Sequence, residues 1–237
     1  MPEKQLQVEL LAHTPDPEKT CALAARTCYS AMEYGELKEL VQEKDQAAFL
    51  RRIVASGHLS VLEHASFTFG VSGVSRALLA QITRHRIASF SVQSQRYVSL
   101  EKGFGYIIPP RIKELGDEAV REFESQMAQM QAWYQGWQEK LGENANEDAR
   151  FVLPNACETH ITLTMNAREL LHFFSLRCCN RAQWEIRALA TEMLRQCKRV
   201  APVIFEAAGP GCVSGACPEG AKTCGQAAEI RKQFATL

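Results

Sequence analysis

Several features that would narrow a protein's role at a glance are missing from this chain. No stretch approaches the roughly 18 consecutive apolar residues that span a bilayer. The opening residues, Met1-Pro2-Glu3-Lys4-Gln5, are polar and lack the apolar core of a signal peptide. The expectation is a cytoplasmic protein that does not engage membranes. There is no charge of one sign in excess: Lys+Arg 27 balances Asp+Glu 27, for a formal net charge of zero. Proteins that hold nucleic acid by general attraction carry a basic surplus, so no nucleic-acid partner is expected. Zero net charge also leaves little self-repulsion against association, and burial of surface in an oligomer follows as an expectation. No G-x-G-x-x-G follows a strand, and no G-K-[ST] loop occurs; Gly209-Pro210-Gly211 follows a helical pattern and contains proline. A phosphate-bearing cofactor would therefore be held by side chains. His58, Glu63 and His64 do not make His-Glu-x-x-His, and no Cys-x2-Cys pair of the zinc-ribbon kind is present, so no metal is expected.

What is present fits one globular enzyme-sized domain. Of 237 residues, 46% are hydrophobic, enough for a full core. Nine cysteines, an odd count, read as reduced thiols rather than a disulfide framework. Alternation predicts strands over 5–12, from Phe67 to Val71, and from Cys157 to Met165, where Thr159, Ile161 and Leu163 complete one face. Helical spacing predicts helices over 18–29, 36–56 with Gly57 at its end, 74–86, 115–141, 168–178 and 181–207. His58–His64 reads as a turn, and 89–99 as a loop with strand character. Trp133, Tyr134 and Trp137 on the long helix read as core or subunit interface. Strands and long helices mix without βαβ alternation. The expected class is α+β, a single domain with a mainly antiparallel sheet packed against long helices. Its body is residues 1–208, and 209–237 is a Gly- and Cys-rich tail of the same chain. Cys212, Cys217 and Cys224 in that tail could bind a metal, but free thiols in a flexible tail are the favoured reading.

The most informative stretch is Arg84-His85-Arg86-Ile87-Ala88-Ser89-Phe90-Ser91-Val92-Gln93-Ser94-Gln95-Arg96-Tyr97, with three arginines among 14 residues. Guanidinium groups present a permanent charge and a planar fork of donors that match phosphate, and Ser and Gln add short-range donors. This is the composition of an anion site suited to a nucleotide, weighed against a plain solvated face. Arg84 and Arg86 face nearly opposite sides if the helix continues through them, and converge through the loop if it ends there.

The segment resembles the signature of the flavin-dependent thymidylate synthases: Arg-His-Arg-x-x-Ser at Arg84 to Ser89, then Ser-x-Arg-Tyr at Ser94 to Tyr97. Four further segments resemble the same family in order. They are His58 to His64 with Phe67-Thr68-Phe69, Ala149-Arg150-Phe151-Val152-Leu153-Pro154, Asn166-Ala167-Arg168, and Leu176-Arg177 with Ala182-Gln183-Trp184-Glu185-Ile186. The likeness covers roughly residues 5–208, and five ordered segments are far more specific than one motif.

The resemblance implies reductive methylation of dUMP to dTMP, with FAD as cofactor and methylenetetrahydrofolate and NADPH as co-substrates, in a homotetramer whose sites are shared between subunits. It implies that Arg177 is the catalytic group, stabilising charge on the uracil ring, with no enzyme nucleophile; Cys178 and Cys179 beside it are discounted. By the same resemblance Gln81, Arg84, Val92, Gln93, Ser94, Gln95, Arg96, Arg150 and Arg177 hold dUMP. Ser60, Arg84, His85, Arg86, Asn166, Ala167, Arg168 and His172 hold FAD, and His58 lies near flavin and folate. One departure stands out: many relatives are polar where this chain has Ser91-Val92, and the Val92 side chain can line a site but not hydrogen-bond in it. The competing classes are a non-catalytic nucleotide- or RNA-binding protein and a regulatory protein with a metal in its tail. The neutral charge and the Arg177 and Asn166 segments count against the first.

Overall fold

A computed structural model describes all 237 residues. Four strands, β1 (Gln7–His13), β2 (Ser66–Ser75), β3 (Ala88–Val92) and β4 (Glu158–Asn166), form one antiparallel sheet in the order β1-β2-β4-β3. The α+β class is as the sequence implies. Phe67, Phe69 and Val71 of β2, and Thr159, Ile161, Leu163 and Met165 of β4, are buried while their neighbours are more exposed. That period of two is the pleat itself.

The helices are α1 (Pro17–Thr27), α2 (Tyr34–Glu43), α3 (Ala47–Ala55), α4 (Arg76–Ile82), α5 (Pro110–Lys113), α6 (Asp117–Leu141), α7 (Asn146–Ala149), α8 (Ala167–Arg177), α9 (Trp184–Val200) and α10 (Ala227–Ala235). Three sequence expectations need correction. The helix expected over 36–56 is two, α2 and α3: Asp45 Oδ1 accepts from Ala47 N at 2.9 Å, and Gln46 Nε2 donates to the carbonyl of Lys44 at 2.9 Å. These side chains offer the backbone a turn in place of the helical ladder. The helix expected through Arg86 stops at Ile82, where Thr83 Oγ1 donates to the carbonyl of Leu79 at 2.6 Å and Arg84 Nε to that of Ala80 at 3.1 Å. The helix expected to reach 207 stops at Val200, because Pro202 disfavours helical backbone in the residue before it. Gly57 does close α3, at φ 76. His58–His64 holds a 3-10 turn over Leu59–His64.

Contacts gather into two compact units, each built from separate stretches. Unit 1 comprises residues 1–7, 70–84 and 90–162. Its core joins Phe104, Tyr106, Ile108 and Cys157 to Met127 of α6. On that helix Tyr134 is fully buried, with its hydroxyl 3.1 Å from Asn146 Oδ1, whereas Trp133 and Trp137 are exposed. Gly73, at φ 65, lies so close to the N-terminal segment that a Cβ there would sit 1.8 Å from the carbonyl oxygen of Gln5. Unit 2 comprises residues 8–69, 85–89 and 163–237. Phe67, Phe174 and Phe205 pack edge to face, with Phe67–Phe205 centroids 5.5 Å apart and Phe174–Phe205 5.9 Å. The Gly- and Cys-rich tail folds back here: Phe234 is buried, Lys198 Nζ donates to its carbonyl at 2.8 Å, and Arg231 Nε donates to that of Cys212 at 2.8 Å.

Candidate active site

In unit 2 the site grows from the ends of α8. Asn166 caps its start, Oδ1 accepting from Glu169 N at 2.9 Å. An acidic residue three positions after such a cap ordinarily reaches back to it. Here the Glu169 carboxylate turns inward instead, 2.8 Å from His85 Nδ1, with both side chains buried. The other ring nitrogen, His85 Nε2, accepts from Arg177 Nε at 3.1 Å. Burial holds the His85 pKa below its ordinary value, outweighing the Glu169 hydrogen bond, and the Arg177 charge adds to the depression. Glu169 is the group that sequence reasoning missed; its signal, Asn-x-x-Glu, reads as a helix cap.

A cleft of about 620 Å³ opens over the same helix, with Asn166, Arg168 and His172 on its wall together with Glu63 and Ile87. That volume is in the range of small-ligand and cofactor sites. Arg168 Nη1 donates to Glu63 Oε1 at 2.6 Å. Ser60 is exposed on the 3-10 turn whose Leu59 and Glu63 line the cleft, and Arg86 is exposed beside Ile87. His58 is exposed just before that turn. Two residues of the expected flavin set are placed differently. The His85 ring is buried with both nitrogens engaged by protein, so a contact to cofactor there falls to its backbone. Ala167 is buried and its N–H donates to the carbonyl of Ala65 at 2.8 Å, so that donor is already spent on the fold.

The expected nucleotide set, apart from Arg177, lies in unit 1. Gln93 N donates to the carbonyl of His160 at 3.0 Å. Ser94 Oγ accepts from Arg96 N at 3.2 Å, and Gln95 Nε2 lies 3.5 Å from Cys157 Sγ. Arg96 Nε donates to Glu147 Oε2 at 2.8 Å while Arg150 Nε donates to the Glu147 carbonyl at 3.0 Å, which brings both arginines to one residue. Val92 closes β3 half-buried, Gln81 is half-buried, and Arg84 is exposed. Arg76 is a second group that sequence reasoning missed: its Nη1 donates to the carbonyl of Gln93 at 3.2 Å and holds the start of the Gln93–Arg96 loop.

A family model described as thymidylate synthase complementing protein, Thy1, matches residues 9–203. A flavin-dependent thymidylate synthase of Geobacter sulfurreducens is 55% identical over 231 residues, covering 97% of this chain and 98% of that protein. The chain belongs to the flavin-dependent thymidylate synthase family. Another flavin-dependent thymidylate synthase, from Clostridium tetani, is 48% identical over 242 residues and covers 97% of each chain. Among solved structures, Thymidylate Synthase X of Helicobacter pylori with FAD and dUMP superposes with a TM-score of 0.62 at 25% identity, covering 85% of this chain and 98% of that one. A UMP/dUMP methylase from Streptomyces cacaoi bound with 5-Br dUMP gives a TM-score of 0.71 at 25% identity, covering 86% and 94%. The family's flavin fits the donor set of the cleft: an amide and an arginine at the start of α8 and an imidazole at its middle suit an anion-bearing cofactor, with the Glu63 carboxylate already paired to Arg168.

Proposed function

We infer that this chain methylates dUMP to dTMP, using FAD as cofactor, methylenetetrahydrofolate as carbon donor and NADPH as reductant. The observation that carries the reading is that one helix serves two roles. The first half of α8 lines the cleft through Asn166, Arg168 and His172, and its end presents Arg177, held by His85. Nine residues at about 1.5 Å each set the two arginines roughly 13 Å apart along the axis.

Reduced FAD supplies the reducing equivalents that convert the carried methylene to a methyl group. Because those electrons come from NADPH, folate leaves as tetrahydrofolate. Uracil C5 is a weak nucleophile, and negative charge gathered over N3 and its flanking oxygens, conjugated to C5, strengthens it before attack. The Arg177 guanidinium stabilises that charge; a fixed donor of this kind is worth about 10²–10³ in rate. Arg96 and Arg150, with Arg84, Gln81 and the Gln93–Gln95 loop, hold the nucleotide, and Val92 lines its site. Ser60, Arg84, Arg86, Asn166, Arg168 and His172 hold FAD, with the backbone of His85, and His58 stands by flavin and folate. No cysteine acts as nucleophile. Burial pushes the Cys178 thiol to about 12, so it stays protonated at neutral pH.

The assembly is a homotetramer with sites completed across subunits. Large apolar side chains beside the site arginines support this: Tyr97 next to Arg96, Ile87 next to Arg86, Phe151 next to Arg150 and Leu176 next to Arg177 are all exposed. No helix is long and apolar enough to cross a membrane. All nine cysteines are free thiols, which supports a cytoplasmic location.

The test is direct. Protein saturated with FAD and passed through a desalting column should retain flavin and form dTMP from dUMP, methylenetetrahydrofolate and NADPH. Loss of all flavin on the column, with the protein folded, would defeat the reading.

A further inference from the structure

His85 lies within the arginine-rich signature, yet its ring has no surface to offer a ligand. The side chain is 3% exposed and is wedged against Phe173, with centroids 4.9 Å apart, and His172, at 5.9 Å. Its two nitrogens touch groups of opposite character. Arg177 Nε always carries its hydrogen and cannot accept, so at 3.1 Å His85 Nε2 must present its lone pair. The proton therefore resides on Nδ1, which donates to the Glu169 carboxylate at 2.8 Å. A doubly protonated ring would set one N–H against another. The arrangement has a single consistent state: Glu169 as acceptor, neutral His85 with Nδ1–H, and Arg177 as donor.

We propose that His85 is the positioning residue of Arg177, with Glu169 fixing the tautomer of the His85 ring and His85 Nε2 fixing the plane of the guanidinium. The guanidinium is planar, so the direction of Nε–H sets the orientation of the whole fork. An arginine side chain otherwise samples many rotamers, and each must be given up when it meets its ligand. Seated on a ring that is itself locked by packing and by a carboxylate, the fork is oriented before the uracil arrives. Supporting partners of this kind, one step removed from the reacting atoms, typically change activity 10–100-fold. The histidine of the signature thus serves the methyl-acceptor chemistry, while the arginines on either side serve ligands. This inference rests on the reading of Arg177 as the group that stabilises charge on uracil.

The experiment compares His85→Phe, His85→Gln, Glu169→Gln and Arg177→Lys in the FAD-loaded enzyme, measuring kcat and KM for dUMP and the flavin retained. His85→Phe preserves ring volume but removes the acceptor. It should lower kcat about 10–100-fold with flavin bound and KM for dUMP within a few-fold. His85→Gln returns an acceptor oxygen to Arg177 Nε and should recover most of that loss. Glu169→Gln allows the amide to donate as well as accept, frees the tautomer, and should lower kcat several-fold. This variant carries the test if His85→Phe does not fold. A plain packing role predicts the opposite ranking, with His85→Phe tolerated and His85→Gln worse, and that result would overturn the proposal. So would wild-type kcat in Glu169→Gln. Wild-type turnover in Arg177→Lys would instead overturn the reading of Arg177 itself, which separates the two failures.

Discussion

Glu147 joins two arginines at once: its carboxylate accepts from Arg96 Nε at 2.8 Å and its carbonyl accepts from Arg150 Nε at 3.0 Å. The carboxylate pair is about half exposed on both sides, so it contributes little to folding. With Arg96 as the proposed phosphate ligand, its significance is occupancy: the carboxylate holds the place on Arg96 that the phosphate would take. Glu147→Gln keeps the shape and the main-chain bond but removes the competing charge. The expected result is a KM for dUMP lowered about two- to five-fold, with an unchanged denaturation midpoint. Steady-state kinetics with a urea titration checks both; a raised KM would mean that Glu147 aligns Arg96 rather than competing for it.

The cysteines next to Arg177 invite a covalent mechanism, and the environment of Cys178 argues against it there. Cys178 is buried, and burial pushes its thiol to about 12, where thiolate is scarce at neutral pH. Cys178→Ser and Cys179→Ser should each keep dTMP formation within about three-fold of wild type, since a catalytic nucleophile would cost orders of magnitude more. Measured turnover that collapses in either variant, with circular dichroism and flavin content unaltered, would restore the nucleophile.

His85 also links stability to pH. Burial and the nearby Arg177 charge hold its folded pKa below the ordinary 6.5, against the opposing pull of Glu169. Between the folded pKa and 6.5 the unfolded chain binds the extra proton, so stability rises with pH across that window. The contribution is complete above 6.5 and fades as pH falls toward the folded pKa. The urea midpoint of the wild type should therefore drop from about pH 7 to about pH 5, and His85→Gln should lose part of that slope. Parallel slopes in the two proteins would show that His85 is not the linked group.

If sites are completed across subunits, two inactive variants can repair one another. Arg86→Ala and Arg177→Ala, unfolded and refolded together, should recover on the order of a quarter of wild-type activity at random mixing if each site takes one residue from each of two chains. Activity no greater than the sum of the separate variants would place both residues in one polypeptide. A monomer by light scattering at working concentration would remove the shared-site arrangement altogether.

How far these groups could be read from the sequence depends on the range of the interaction. The strands at Phe67–Val71 and Thr159–Met165 were legible because pleat and burial share a period of two. Pro202 marks the end of the last long helix in the sequence, although apolar spacing continues beyond it. The break at Asp45-Gln46 was harder, since apolar periodicity passes through it and the turn is made by polar side chains. The arginines, amides and serines of the site were legible as residue types. The role of Glu169 was not: it reads locally as a cap, and its partner lies 84 residues away. A separation of 92 residues hid the engagement of His85 with Arg177, of which its neighbours in sequence bear no sign.

The path of the chain between its two compact units has one more consequence. It passes from one to the other five times, at 7/8, 69/70, 84/85, 89/90 and 162/163. The residues assigned to the nucleotide lie almost wholly in one unit and those assigned to the flavin in the other. Yet no single cut in the gene separates them. The two ligand roles, as proposed, therefore cannot be exchanged as separate contiguous modules.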